Sequence, residues 1–133
     1  MTVATRAETV RKLFKSFNEG RLAEGWIEET FDPEVEVLDF PDIPDRRRYE
    51  GHNGVREFMA DRGENWRSTA IEVEEVREIG EAVVVLGRQK SVGAMTDVPV
   101  ESAFGEVLEF DGDQIAAIKM FRSHADALEA AGA

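Results

Sequence analysis

The chain predicts an α+β fold in which a curved antiparallel sheet wraps around N-terminal helices. Three observations predict it. Apolar residues recur at helical spacing through the first half of the chain. After the helix that ends near Trp66 the period changes from 3.6 to 2: Thr69 to Ile79 alternates, an apolar run Ala82 to Leu86 follows, and Val98 to Phe110 alternates again. Asp111-Gly112-Asp113 is a strong hairpin signal between two of the alternating runs. Helices first, then a run of hairpin-linked strands, is the α+β order. One end of the cone that such a sheet makes tends to stay open, and ligand pockets form in such places.

The elements follow in order. The first helix opens near Thr5 or Glu8, because Ala7, Val10, Leu13, Phe14 and Phe17 share a helical stripe, and Asn18-Glu19-Gly20 stops it. Leu22 to Thr30 reads as a shorter helix carrying Leu22, Trp26 and Ile27. Pro33 separates it from a strand, Glu34 to Phe40, in which Val35 and Val37 alternate with Glu34 and Glu36. Pro41 and Pro44 mark a loop from Phe40 to Arg48. A third helix, about Asn53 to Trp66, places Val55, Phe58 and Met59 on one stripe. Strands are expected over Thr69–Ile79, Ala82 to about Val92, Val98–Phe110 and Gln114–Phe121, with a short terminal helix over Ala125–Ala131. There is no internal repeat, and residues 1–133 read as a single domain.

Composition narrows the function classes. An apolar fraction of 42% and a charged fraction of 33% describe an ordinary globular protein that can bury a sizeable core. The net charge of −12 speaks against nucleic acid and against an anionic membrane surface as partners. No apolar run is long enough to span a bilayer. The N-terminus lacks the apolar core of a signal peptide, so a cytoplasmic setting is expected. With no cysteine there is no thiolate nucleophile and no thiolate-bound zinc, and two distant histidines make no metal signature. No Ser-centred nucleophile elbow and no phosphate-cradling glycine loop is visible, and no cofactor is expected.

One acid stands out. Val98, Val100, Ser102, Phe104, Glu106, Leu108 and Phe110 alternate and should face one way, inward. Glu106 then lies among apolar side chains. A carboxylate so placed finds a partner or takes up a proton, and perturbed acids in clefts are candidate functional groups. Two alternatives stand beside that reading: the strand face is reversed, or Glu106 pairs with Arg88 or Lys119 on a neighbouring strand.

The run Tyr49-Glu50-Gly51-His52-Asn53-Gly54-Val55-Arg56-Glu57-Phe58 follows an acid-ending strand and a proline-rich loop. With the Phe110-Asp111-Gly112-Asp113 turn and the tail Asp126 to Gly132, it resembles the SnoaL-like proteins of the nuclear transport factor 2 superfamily. That superfamily also holds ketosteroid isomerase, polyketide cyclases, scytalone dehydratase and limonene epoxide hydrolase. The resemblance covers nearly the whole chain. It implies a cone-shaped α+β barrel and a homodimer packed through the sheet. It leaves the reaction open, because the fold hosts many activities as well as plain binding modules.

The resemblance also implies two catalytic positions. Asp39 falls where ketosteroid isomerase has its general base, just past the first strand. Glu106 matches the strand position of the isomerase's protonated acid, with one methylene more. The helix phenol of that enzyme falls at about Leu13, which has no hydroxyl, and neither has Phe14. Half of the oxyanion hole is therefore missing. An ionised Asp39 would take a proton from carbon beside a carbonyl, and a neutral Glu106 would donate a hydrogen bond to the enolate oxygen. The competing role for Asp39 is to cap a turn at the strand end.

An epoxide hydrolase relay needs Arg-x-Asp on a strand, and no predicted strand has it. A dehydratase needs paired His and Tyr, which this chain fits poorly. A cyclase needs an acid and an apolar, ring-sized pocket, which the sequence meets most easily. The expected ligand is an apolar small molecule, and its candidate wall comprises Phe14, Phe17, Trp26, Tyr49, His52, Phe58, Trp66 and Phe104. For the aromatic rings the alternative is core filling. His52 either assists the base or packs in its loop, and Tyr49 either replaces the missing hydroxyl or packs across strands. Arg46-Arg47-Arg48 is either a solvated cluster or a guide for anionic ligands. His124 is expected at the surface.

Overall fold

The computed structural model describes residues 5–19, 25–41, 48–93 and 98–132, with the side chains of residues 62–68 and 93 excepted. Four helices and six strands are present among them: α1 (Arg6–Asn18), α2 (Trp26–Thr30), β1 (Phe31–Leu38), β2 (Arg48–Glu50), α3 (Gly51–Asn65), β3 (Trp66–Ile79), β4 (Ala82–Gly93), β5 (Pro99–Asp111), β6 (Gln114–Phe121) and α4 (His124–Ala130). The Thr5 hydroxyl caps α1 by accepting the Glu8 N–H at 3.1 Å. The expected start of the second helix at Leu22 lies outside the described residues, and so does Gly20.

The strands form one sheet in the order β2-β1-β6-β5-β4-β3. It is curved but not closed, so the expected barrel has two free edges, β2 and β3. Nor is it wholly antiparallel: β1 runs parallel to β6, with Val37 opposite Ile118. The chain reaches that arrangement because everything from β2 to β5 lies between the two strands as a long crossover. Bulges interrupt the β3–β4 ladder between Val73 and Glu75 and the β5–β6 ladder between Glu109 and Phe110. Each adds local bend and twist. Arg48–Glu50 pairs with β1 as a short edge strand, an element that three residues of alternation do not announce.

Two apolar clusters sit on the two faces of the sheet. The larger joins Val10 and Phe14 of α1 and Val55 of α3 to the inner face, including Val35, Val37, Val83, Val85, Phe104 and Leu108. The smaller packs Ala127 of α4 onto Val84, Leu86 and Val107 on the outer face. That second layer explains why the run Val83–Leu86 is apolar at every position rather than at alternate ones. Gly105 makes the layer possible: a Cβ there would come within 2.6 Å of the Ala127 methyl. The inward row expected along β5 begins later than the alternation implied. Val98 and Val100 are 67% and 51% exposed, because they lie beyond the described part of the core.

Toward β3, the sheet carries an exposed charge ladder. Arg88 pairs with Glu101 at 2.6 Å and Lys90 with Glu72 at 2.8 Å. The hydrogen bond from Arg88 holds the Glu101 carboxyl below the usual carboxylate range.

Polar contacts fix α1 at both ends. The Arg6 guanidinium donates to the carbonyl of Gly112 at 3.0 and 3.2 Å and to that of Glu81 at 3.0 Å, bridging the β5–β6 and β3–β4 turns. At the other end the Asn18 amide donates to the Ile71 carbonyl and accepts the Ile71 N–H, both at 2.8 Å. Ile71 belongs to the edge strand, so Asn18 supplies one step of a missing neighbour strand. Replacing Asn18 with Ala leaves both backbone groups of Ile71 without their protein partner. We expect a loss of about 1–3 kcal/mol in urea unfolding and faster hydrogen exchange at the Ile71 amide.

Candidate functional site

The inner face of the sheet, α1 and α3 enclose a cavity of about 60 Å³. Leu13, Phe14 and Phe17 come from α1, and Val55, Phe58 and Met59 from α3. The sheet contributes Phe31 and Val37 from β1, Thr69 and Ile71 from β3, Gln89 from β4, Phe104 and Glu106 from β5, and Ile118 and Met120 from β6. Both helices lay their apolar stripe on the sheet, which is why their aromatic residues meet here. Phe104 stands edge-on to Phe14 at 6.0 Å and to Phe40 at 6.2 Å.

Glu106, Thr69 and Gln89 are the polar side chains of that described wall. Glu106 is 6% exposed and faces inward between Phe104 and Leu108, opposite Met120 on β6 and Val85 on β4. The strand face is therefore the expected one. Arg88 and Lys119, the cations weighed as its partners, pair with Glu101 and Glu109. Gln89 is equally buried, and its amide donates to the Ser91 hydroxyl at 3.1 Å. Thr69 lies opposite Ser91, and its buried hydroxyl oxygen has no hydrogen-bond partner.

Of the residues singled out from the sequence, Phe14, Phe17, Phe58, Phe104 and Glu106 come together on the wall. Trp26, His52 and Tyr49 stand one layer back. Trp26 packs edge-on to Phe31 at 6.0 Å, and the His52 Nε2–H donates to the Phe31 carbonyl at 2.8 Å. Tyr49 packs on Phe58 at 5.4 Å and donates its hydroxyl to Asp61 Oδ2 at 2.7 Å. The Trp66 side chain lies outside the described residues, as do Arg46 and Arg47. Arg48 pairs with Glu36 at 3.4 Å.

Asp39 follows the last residue of β1 and is not part of the cavity wall. Half-buried, it accepts the Phe40 N–H at 2.8 Å. Phe40 in turn packs on the wall residue Phe104 and lies 4.0 Å beneath the Arg122 guanidinium. His124, expected at the surface, is half-buried, and its Nε2–H donates to the Gly87 carbonyl at 2.8 Å.

Sequence reasoning passed over Thr69 and Gln89. Alternation through Ile71 and Val73 could have placed Thr69 inward. Gln89 needed the β3–β4 register, which sets it opposite Ile71. Among the described residues no group of acids and histidines is placed to hold a metal ion. No described helix is long and apolar enough to cross a membrane. Because the Thr69 hydroxyl is buried without a partner, Thr69→Val removes a polar burial cost and keeps the shape. Thermal unfolding should show stability unchanged or raised by up to about 1 kcal/mol.

The geometry agrees with what comparison finds. A family model described as a SnoaL-like domain matches residues 10–118. No curated protein matches the chain. Among solved structures, an NTF2-like protein of unknown function from Burkholderia pseudomallei superposes with a TM-score of 0.78 at 19% identity, covering 98% of this chain and 100% of that one. A protein assigned as a SnoaL-like polyketide cyclase from Jannaschia gives 0.73 at 20% identity, over 100% and 99% of the two chains. A ketosteroid isomerase-like fold from Catenulispora acidiphila, in complex with trimethylamine, gives 0.74 at 12% identity over 94% and 92%. At these identities the superpositions speak for the fold, and the family match spans most of the sequence: the chain belongs to the SnoaL-like domain family.

Proposed function

We propose that this protein binds an apolar carbonyl compound in the cavity and moves a proton on it without a cofactor, as an isomerase or an aldol-type cyclase does. One observation carries the reading: the Glu106 carboxyl is buried in a cavity whose wall is otherwise almost wholly apolar. In its neutral form Glu106 donates a hydrogen bond to the carbonyl oxygen, and the bond strengthens as negative charge develops there. Once its carboxylate turns from the Phe40 N–H toward the guest, Asp39 takes the proton from the adjacent carbon and returns it to another carbon, or, where the enolate attacks a second carbonyl, to the alkoxide that forms. Membership of a family with a cyclase-assigned structural neighbour supports this chemistry.

A second reading is favoured by the position of Asp39, which stands off the wall with its carboxylate on the Phe40 N–H. In that reading the chain is a non-catalytic binding or dimerisation module. The two are separated by deuterium exchange at the carbon beside the carbonyl of 2-tetralone, followed by NMR. For the enzyme, Asp39→Asn and Glu106→Gln each slow exchange by about 100-fold or more while 2-tetralone still binds. If exchange never exceeds the buffer rate, the binding module is the correct description; exchange above that rate that ignores Asp39→Asn removes Asp39 as the base.

A further inference from the structure

The polar groups of the cavity are not gathered at one place. Gln89 lies opposite Ser102, four residues along β5 from Glu106, a separation of about 13 Å at the ordinary strand rise. Its amide reaches for Ser91, which is further still from Glu106. Thr69 lies across from Ser91, at the same end. Phe104 occupies the tier between, opposite Gly87, where β4 presents no side chain. The described cavity wall is thus polar at two ends and aromatic in the middle.

The Thr69 end is incomplete. A buried hydroxyl without a partner is rare in folded proteins, since burial removes water and nothing replaces it. Gln89 has committed one amide hydrogen to Ser91, while its carbonyl oxygen and second hydrogen provide further bonding capacity. Both groups line the cavity at the end away from Glu106.

We infer that the cavity selects an elongated, largely apolar ring compound with an oxygen function at each end, one bound by Glu106 and the other by Thr69 and Gln89. The inference rests on the proposed reading of the cavity as a small-molecule site. It adds the substrate class and names Thr69 and Gln89 as specificity-determining residues. The aromatic middle takes the rings edge-on or face-on, and the two ends fix orientation. A compound with a single oxygen fills the same apolar space but leaves one end unsatisfied.

Calorimetric titration with 2,6-dihydroxynaphthalene, 2-naphthol and naphthalene tests this on the full chain. The dihydroxy compound should bind about tenfold more tightly than 2-naphthol, the gain of one buried hydrogen bond. The combined Thr69→Val and Gln89→Leu variant should lose that advantage and keep its affinity for 2-naphthol, and Thr69→Ser, which retains a hydroxyl, should preserve it. Equal affinity for the two oxygenated compounds overturns the inference while leaving the cavity as a ligand site. So does an advantage that survives in the double variant. Failure of all three compounds to bind overturns the small-molecule reading itself, and this inference with it.

Discussion

Fixing α1 across the sheet is the constraint on which the rest of the structure depends. A helix resting on apolar contacts alone can slide, because dispersion and burial have no direction. Here both ends are tied by directional hydrogen bonds. Arg6 spans two turn carbonyls at one end, and the Asn18 amide is inserted into the edge of β3 at the other. The same Asn18 contact answers two needs: it places the roof of the cavity and blunts a sheet edge that would otherwise invite another strand. Arg6 also lies 5.4 Å over the Phe110 ring, which ties the helix to the apolar layer beneath it.

With the roof held, the cavity takes its character from which residues face it. Three tiers back the wall. Phe31 is held from behind by Trp26 and His52, Phe58 by Tyr49, and Phe104 by Phe40. Tyr49 gives its hydroxyl to Asp61 and His52 its Nε2–H to the Phe31 carbonyl, so both stand behind the wall rather than in it. Residues that look functional in a sequence are here support for those that line the space. At about 60 Å³ the cavity is small beside the roughly 300–1,000 Å³ of common ligand sites. A ring-sized guest therefore displaces side chains, and the unbranched Met59 and the half-buried Leu13 and Phe17 of the helical wall are the ones with room to turn.

Much of the fold was legible because hydrophobic period and turn residues act locally. The change of period after Trp66, the Asp111-Gly112-Asp113 turn and the apolar stripe from Ala7 to Phe17 each placed an element to within a few residues. Glu106 was legible for the same reason, since alternation along one strand decides its face. What stayed hidden depends on pairing between distant segments. The parallel β1–β6 contact, the three-residue β2 and the inward position of Gln89 all follow from register, which no single strand carries. Val98 and Val100 failed as inward residues because alternation says which way a side chain points, not how far the core extends. Asp39 marks a further limit: the alternation of Val35 and Val37 would carry it inward, but the strand ends at Leu38.

The division of labour between sheet and helices has an evolutionary consequence. The described backbone ladders of the sheet do not involve the side chains of Leu13, Phe17, Phe58 or Met59, which come from α1 and α3. Exchange of these residues reshapes the chamber without breaking a single rung. Such a scaffold can drift through many ligand repertoires at constant architecture, and its descendants will resemble one another in shape long after their sequences have parted.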